Sequence, residues 1–166
     1  MAEKELVEQL IASGFFIATA ESLTGGLLGS AITSVAGSSS TYLGGVIAYQ
    51  NQIKEQVLGV SPTLIANQGA VDAEVAAQLA SGVRDKFAKS CQKPIEKVIG
   101  IATTGVAGPG EAEGKPAGTV FIGISSVAGE SVYAHSFSGS RAEVREQSVA
   151  SALAALREQL QLITGY

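Results

Sequence analysis

The stretch Ala18 to Gly29, Ala-Thr-Ala-Glu-Ser-Leu-Thr-Gly-Gly-Leu-Leu-Gly, contains the change of local structure that decides the fold. A short apolar run that begins at Phe15 leads into it, and such a run is typical of a buried strand. Beyond it, apolar residues recur at helical spacing from Leu23 to Val35, which predicts the buried face of a helix. The sequence therefore predicts a strand, a turn and a helix, with Ser22 in the turn.

Two interpretations of Ser22 follow from this position. The first turn of a helix has N–H groups without partners and a partial positive charge, so a hydroxyl held there can act as a nucleophile beside an anion site. Serine is also an ordinary helix N-cap, and a glycine pair often marks close backbone packing. Other parts of the chain are needed to choose between the two.

Length and charge limit the class of protein. The chain has 166 residues, which is the length of one domain, and we expect a single domain over residues 1–166. Its formal net charge is −4, the wrong sign for a protein that binds by neutralising phosphates along a polymer. We therefore expect no nucleic-acid partner.

The apolar residues are distributed in short runs. Although 46% of the residues are hydrophobic, no run approaches the roughly twenty residues that a membrane span requires. The first ten residues are acidic and have a helical pattern, without the basic and then apolar order of a secretion signal. We expect a cytoplasmic protein without membrane contact, and the apolar composition favours a homodimer.

The residues that usually bind metals are scarce. The chain has one cysteine, Cys91, and one histidine, His135, which together cannot build a zinc site of the usual ligand count. His135 lies in an alternating strand pattern that favours a structural or surface role. We therefore expect no metal and no cofactor.

The order of predicted elements is helix, strand, helix, strand, helices, strand, hairpin, helix. Continuous apolar strands that alternate with helices predict a sheet covered on both faces, and the hairpin requires an antiparallel pair. This order predicts a three-layer α/β/α sandwich on a mixed, partly parallel sheet. Sites in such folds lie beyond the strand ends, where the unusual loops of this chain are expected: Glu21 to Gly26, Tyr49 to Lys54, Thr103 to Pro116 and Ser138 to Arg141.

The second of these loops supplies a possible base for Ser22. Tyr49 and Lys54 follow a buried apolar run, and a lysine whose pKa is lowered by burial can accept a serine proton. The tyrosine hydroxyl could relay that proton or help to hold the amine. The alternative is a solvated helix lysine and an aromatic residue at a strand end.

The third and fourth loops suggest phosphate binding. The third is rich in glycine, so its backbone N–H groups can approach an anion, but it matches no standard phosphate motif and a flexible surface loop is the alternative. In the fourth, Arg141 begins a helix, where a guanidinium and unpaired amides together can hold a phosphate. An isolated surface arginine is the alternative for Arg141.

Six motifs in this order resemble the CinA carboxy-terminal domain family over nearly the whole chain. They are Ala20-Glu-Ser-Leu-Thr-Gly-Gly26, Tyr49-Gln-Asn-Gln-Ile-Lys54, Gly69-Ala-Val71, Thr104-Gly-Val-Ala-Gly-Pro-Gly110, Lys115-Pro-Ala-Gly-Thr-Val120 and Phe137-Ser-Gly-Ser-Arg141. The resemblance implies hydrolysis of the carboxamide of nicotinamide mononucleotide to nicotinate mononucleotide and ammonia, in pyridine nucleotide salvage.

The resemblance also implies roles for particular residues. Ser22, Tyr49 and Lys54 take the catalytic positions, and Arg141 lies on the phosphate side. Substrate contacts are expected from the motif residues around them: Glu21, Thr24, Gly25, Gly26, Asn51, Thr104, Gly105, Ala107 and Gly108. The chain departs from the family pattern at Glu111, where a further glycine is common, and at Asp72-Ala-Glu74 in place of Ser-x-Glu.

The mechanism that we expect is acyl transfer by Ser22, with Lys54 or Tyr49 accepting its proton and the amides from Leu23 to Gly26 holding the oxyanion. Two alternatives remain at this point. One is a binding module without catalysis that holds a phosphorylated ligand, in which Ser22 is only a helix cap. The other is an amidase that acts on a different small amide.

Overall fold

The computed structural model describes residues 2–165, which contain one five-stranded sheet. The strands, in chain order, are β1 (Phe16–Glu21), β2 (Tyr42–Ile47), β3 (Val98–Gly105), β4 (Thr119–Ser126) and β5 (Gly129–Ser136). Their order across the sheet is β2-β1-β3-β4-β5. β1 pairs in parallel with β2 and β3, whereas β3, β4 and β5 pair antiparallel. The predicted mixed sheet and its hairpin are confirmed.

Within the described residues, six α-helices cover the two faces of the sheet. They are α1 (Ala2–Ser13), α2 (Leu27–Thr33), α3 (Asn51–Leu58), α4 (Pro62–Gln68), α5 (Ala73–Ser90) and α6 (Arg141–Thr164). One core contains apolar side chains of α1, α2, α6 and one face of the sheet, and the other contains those of α3, α4, α5 and the opposite face. The expected three-layer α/β/α sandwich is therefore confirmed, because each face of the sheet is buried by its own layer of helices.

Helix α5 packs closely against the sheet because small residues face it. Ala18, Ala20 and Ala102 form the sheet side of this core. A Cβ placed on Gly100 would overlap the carbonyl oxygen of Ala80 in α5. The absent side chain at position 100 thus sets how near the helix packs, and through the helix it sets the position of the loops at its ends.

Helix α2 begins later than the sequence predicts. Its N-cap is Gly26, which has a left-handed backbone with φ of 102°, and Gly25 before it has φ of 57°. The Gly25 N–H donates to the Ser22 carbonyl over 3.1 Å, which closes a separate turn between strand and helix. Interpreting Ser22 as a plain helix cap is therefore wrong, because two left-handed glycines separate the serine from the first helical residue.

No helix within residues 2–165 has the length and apolar character that a membrane span requires.

Candidate active site

The predicted loops meet in one cleft of about 310 Å³. The cleft lies at the carboxyl ends of β1, β2 and β3, where parallel strands bring their following loops to the same edge of the sheet. Its walls come from the turn after β1, the start of α3, the loop between α4 and α5, the long loop after β3 and the start of α6. Ser22, Tyr49, Lys54 and Arg141 all line it.

Lys54 is a buried cation in the wall of this cleft. It lies in α3 on the same face as Leu58, and only 1% of its surface is exposed. Its Nζ donates to the backbone carbonyl of Tyr49 over 3.2 Å. Burial lowers the pKa of Lys54, and the negative charge of Glu113 partly opposes that decrease. The amine is therefore easier to deprotonate than a solvated lysine, as a general base requires.

Tyr49 contributes to the site differently from the expectation. Tyr49 is 56% exposed, and its phenol accepts a hydrogen bond from Arg141 Nη2 over 3.2 Å. The group that holds the Lys54 amine is the Tyr49 carbonyl, not the phenol. One residue thus links the lysine inside the cleft to the arginine at its rim.

Arg141 connects two walls of the cleft. Its Nη1 donates to the Gly108 carbonyl over 2.6 Å, and its Nη2 donates to the Tyr49 phenol. The residue before it, Ser140, caps α6 through a reciprocal pair of hydrogen bonds with Glu143. The guanidinium is therefore held by the first turn of a well-capped helix, facing the glycine-rich loop.

Ser22 is half-buried and lies in the turn that follows β1. Its backbone N–H donates to the Thr103 carbonyl over 3.1 Å, which extends the pairing of β1 and β3 by one residue. Within residues 2–165, no hydrogen bond joins the Ser22 hydroxyl to Lys54 or Tyr49. The structure brings the three residues to one cleft without a direct serine–lysine hydrogen bond among the described residues.

Glu21 faces the interior beneath α2. Its buried carboxylate accepts the N–H groups of Gly26, Leu28 and Gly29 over 2.9, 3.0 and 2.8 Å. These are the amides that a helix leaves without partners at its start, and the negative charge also complements the helix dipole. Glu21 therefore fixes the turn that carries Ser22, and its side chain does not reach the cleft wall.

The same turn uses most of its remaining polar groups internally. The Thr24 hydroxyl shares a buried 2.8 Å hydrogen bond with the Thr103 hydroxyl, and the Gly25 and Gly26 amides already have acceptors. Among residues 2–165 the structure provides no acceptor for the Leu23 and Thr24 amides. Of the four amides expected to hold an oxyanion, two are thus without an acceptor, and of these Leu23 lines the cleft whereas Thr24 is fully buried outside it.

The glycine-rich loop forms a long wall of the cleft. Thr104, Gly105, Ala107 and Gly108 line it, as does Asn51 from the start of α3. The buried Thr104 hydroxyl donates to the Ala70 carbonyl over 2.7 Å, so it anchors the loop to the segment before α5. The loop therefore offers its backbone and small side chains to a ligand.

The CinA C-terminal domain model matches residues 1–160 of this chain. A CinA-like protein of Geobacter sulfurreducens is 40% identical over 89% of the chain, which spans only 34% of that relative. The chain belongs to the CinA C-terminal domain family. It covers about a third of the length of the curated relatives that it matches.

Solved structures of CinA proteins share the whole fold. The competence-damaged protein (CinA) superfamily protein from Enterobacter cloacae has a TM-score of 0.86 and 32% identity, over 96% of this chain and 90% of that one. The competence/damage inducible protein CihA from Agrobacterium tumefaciens has a TM-score of 0.80 and 31% identity, over 95% of each chain. The sandwich described above is therefore the CinA fold.

The CinA domain also has a cleft residue that the sequence analysis missed. Glu113 lines the cleft, and its carboxylate accepts the Val71 N–H over 3.0 Å. Glu111 of the same loop, named above as a departure from the family pattern, also lines the cleft. A loop has no periodicity that tells which of its carboxylates face inward. The signal in the sequence is Gly114, because glycine favours a tight turn, and Glu113 beside it has a left-handed backbone in the structure.

Within residues 2–165 no three His, Cys, Asp or Glu side chains are grouped so that they could hold a metal ion.

Proposed function

We propose that this CinA domain hydrolyses the carboxamide of nicotinamide mononucleotide to nicotinate mononucleotide and ammonia, with Ser22 as the nucleophile. The observation that carries the proposal is a buried lysine, Lys54, that lines the same cleft as a half-buried serine. A serine hydroxyl requires a base, and a lysine with a lowered pKa is the kind of base that operates without histidine. His135 lies on β5, outside the cleft lining.

In the first step, the neutral Lys54 amine accepts the Ser22 proton while the serine oxygen forms a bond to the carboxamide carbon. The Leu23 amide, which lines the cleft, is proposed to stabilise the oxyanion that forms. When the tetrahedral intermediate collapses, the C–N bond breaks and the Lys54 ammonium returns the proton to nitrogen, which leaves as ammonia.

The second half of the reaction resolves the acyl-enzyme. Water attacks the ester carbon while Lys54 accepts its proton, and the bond to the Ser22 oxygen then breaks. The proton returns to the serine, so that the enzyme is regenerated. One amine thus serves as base and then as acid in both halves.

Arg141 and the loop from Thr104 to Gly110 are proposed to bind the phosphate of the nucleotide. The guanidinium donates to two protein oxygens of the cleft, and a phosphate would supply stronger, charge-assisted acceptors. Binding energy gained far from the reacting carbon would position the amide against Ser22.

The test is ammonia release by purified protein with nicotinamide mononucleotide as substrate, in the presence of a chelator. Ser22→Ala is expected to lower turnover by several orders of magnitude. Ser30→Ala is the matched control, because Ser30 is an exposed serine on α2, and it should keep wild-type turnover. Full ammonia release by Ser22→Ala would rule out the serine mechanism.

The binding-module alternative and the different-substrate alternative are tested by a panel of nicotinamide, its riboside and its mononucleotide. A module without catalysis binds the mononucleotide and releases no ammonia. An amidase that binds the phosphate strongly prefers the mononucleotide to nicotinamide and its riboside. Equal rates with all three compounds would indicate that the natural substrate is a different small amide.

We also propose that the protein acts in the cytoplasm as a homodimer. The support for a dimer is apolar exposure beside the edge strand β2, where Ile47 is 56% and Leu27 37% exposed. Sedimentation of the wild type and of Ile47→Lys is the measurement. A monomeric wild type would contradict the proposal.

A further inference from the structure

The turn that carries Ser22 is held by an arginine that lies outside the cleft lining. Arg145 is half-buried in α6, one helical turn after Arg141. Its Nε donates to the Leu23 carbonyl over 2.9 Å, and its Nη2 donates to the Thr24 carbonyl over 3.1 Å. Hydrogen bonds from a charged donor are stronger than those between neutral groups. The guanidinium therefore binds two successive carbonyls of this turn.

The guanidinium of Arg145 also packs directly against the turn. A Cβ built on Gly25 would lie 3.4 Å from Arg145 Nη2, and Gly25 has a left-handed backbone with φ of 57°. Within residues 2–165, Arg145 is the only group that donates to the carbonyl of the buried Leu23. Without the arginine this carbonyl would lose its partner, and an unpaired buried carbonyl is costly.

Two planar peptide units connect Arg145 to the proposed reaction centre. In a trans peptide unit, the C=O and the N–H point in opposite directions and move together. The Thr24 carbonyl shares its unit with the Gly25 N–H, which donates to the Ser22 carbonyl over 3.1 Å. The Ser22 carbonyl shares the next unit with the Leu23 N–H, the proposed oxyanion donor. Because the guanidinium fixes the first unit, it also orients the second, which joins the serine to that amide.

The positive charge of Arg145 acts along the same path. Hydrogen bonds in a chain polarise one another, so that each N–H in the chain becomes a better donor. The Leu23 N–H is at the end of this chain, and Leu23 lines the cleft. The arginine thus favours both the orientation and the strength of the proposed oxyanion contact.

We propose that Arg145 is a positioning residue, which acts through the Thr24–Gly25 peptide to align Ser22 and the Leu23 amide for attack on the carboxamide. This inference rests on the proposed amidase function of Ser22.

A second arginine with the same kind of partners provides the matched control. Arg84 of α5 is also half-buried, and its Nε donates to the Val98 carbonyl over 2.8 Å. Its Nη2 donates to the Ile95 carbonyl over 2.9 Å. These carbonyls lie at and just before the amino end of β3, whereas the cleft lies at the carboxyl end. Arg84→Met and Arg145→Met each lose two hydrogen bonds to the backbone, and only the second change touches the serine turn.

Steady-state ammonia release, expressed per mole of folded protein, is the first measurement. Arg145→Met should lower kcat for nicotinamide mononucleotide by about 100-fold, the scale expected when a reacting group is displaced by about 1 Å. The value of kcat/KM should fall by the same factor, because Arg141 on the phosphate side is unchanged. Arg145→Lys should show an intermediate loss, since an amine lacks the fork that binds two carbonyls. Arg84→Met should keep the wild-type kcat even though its urea midpoint falls.

Two NMR measurements examine the turn without substrate. The Gly25 amide should exchange its hydrogen about 10-fold to 100-fold faster in Arg145→Met than in the wild type, because its peptide unit loses a charged contact. Arg84→Met should leave that exchange rate unchanged. In the wild type, the Arg145 ¹⁵Nε should show a scalar coupling to the Leu23 carbonyl carbon across their hydrogen bond.

The inference would be overturned by a wild-type kcat in folded Arg145→Met, by an equal loss of kcat in Arg84→Met, or by Gly25 exchange that does not depend on Arg145. If Arg145→Met does not fold, Arg145→Lys is judged by the same measurements. If neither variant folds, the wild-type coupling decides, and its absence overturns the inference. Absent ammonia release with Arg145-dependent Gly25 exchange would instead overturn the amidase function and leave the anchoring of the turn intact.

Discussion

Replacing Lys54 by methionine should abolish activity and increase stability. Lys54 is 1% exposed, with one hydrogen bond, to the Tyr49 carbonyl, and no direct ion pair within residues 2–165. Burying a charged amine costs several kcal/mol after relaxation, whereas one hydrogen bond from a charged donor returns about 1.5–3 kcal/mol. A methionine of similar length fills the same space without the desolvation cost.

The expected gain in the free energy of unfolding is therefore about 1–3 kcal/mol, the range seen when buried charges are replaced by apolar side chains. For a chain of this length each kcal/mol raises the melting temperature by about 2–4 °C. Urea unfolding and thermal unfolding of Lys54→Met at neutral pH give both values. Lys86→Met, which changes an exposed lysine of α5, should stay within about 0.5 kcal/mol of the wild type.

The difference in the free energy of unfolding between Lys54→Met and the wild type should depend on pH in one direction. The folded-state pKa of Lys54 lies below its ordinary value of 10.5, so the unfolded chain binds the proton more tightly. The destabilisation of the wild type by the buried, protonated Lys54 is fully present below the folded-state pKa, and it disappears as the pH rises towards 10.5. The stability advantage of Lys54→Met over the wild type should therefore shrink across that alkaline window.

Two results would refute this reasoning. A Lys54→Met variant that unfolds more easily than the wild type by over about 1 kcal/mol would make Lys54 a structural residue. Ammonia release at the wild-type rate by the same variant would remove it from the mechanism.

Three further predictions concern the phosphate side, the serine turn and the core. Arg141→Ala should raise KM for the mononucleotide by about 10-fold to 100-fold, since one charged contact is worth about 1.5–3 kcal/mol, and it should leave KM for the riboside unchanged in steady-state ammonia assays. Glu21→Gln should lower the free energy of unfolding by about 1–3 kcal/mol, because one amide oxygen replaces two carboxylate oxygens that accept three N–H groups. The control is Glu143→Gln, which should unfold like the wild type, because a capping box accepts glutamine at this position. Gly100→Ala should lower the free energy of unfolding, measured by urea unfolding, by about 1–3 kcal/mol, because its Cβ would overlap the Ala80 carbonyl. An unfolding midpoint equal to that of the wild type would show that α5 can shift without cost.

The sequence by itself determined the layers and the edge of the sheet where the site lies. Helical and strand periodicities are set by burial of one face or of both faces, so they are readable along the chain. Parallel strands then bring their following loops to one edge, which is why Ser22, Lys54 and Arg141 could be placed together before the structure was known. Motif resemblance added the CinA family, which the comparisons confirm.

Only the tertiary structure decided how the side chains of that edge are used. Glu21 turns under α2, the Tyr49 carbonyl holds the lysine, and Glu113 faces the cleft. Loop residues have no periodicity, and their directions are fixed by contacts with segments far along the chain, such as the Val71 amide that holds Glu113. The burial of Lys54 has the same cause. Its sequence neighbours Ile53 and Glu55 do not reveal it, and Lys54 lies on the face of α3 that carries Leu58, which packs in the core shared with α5.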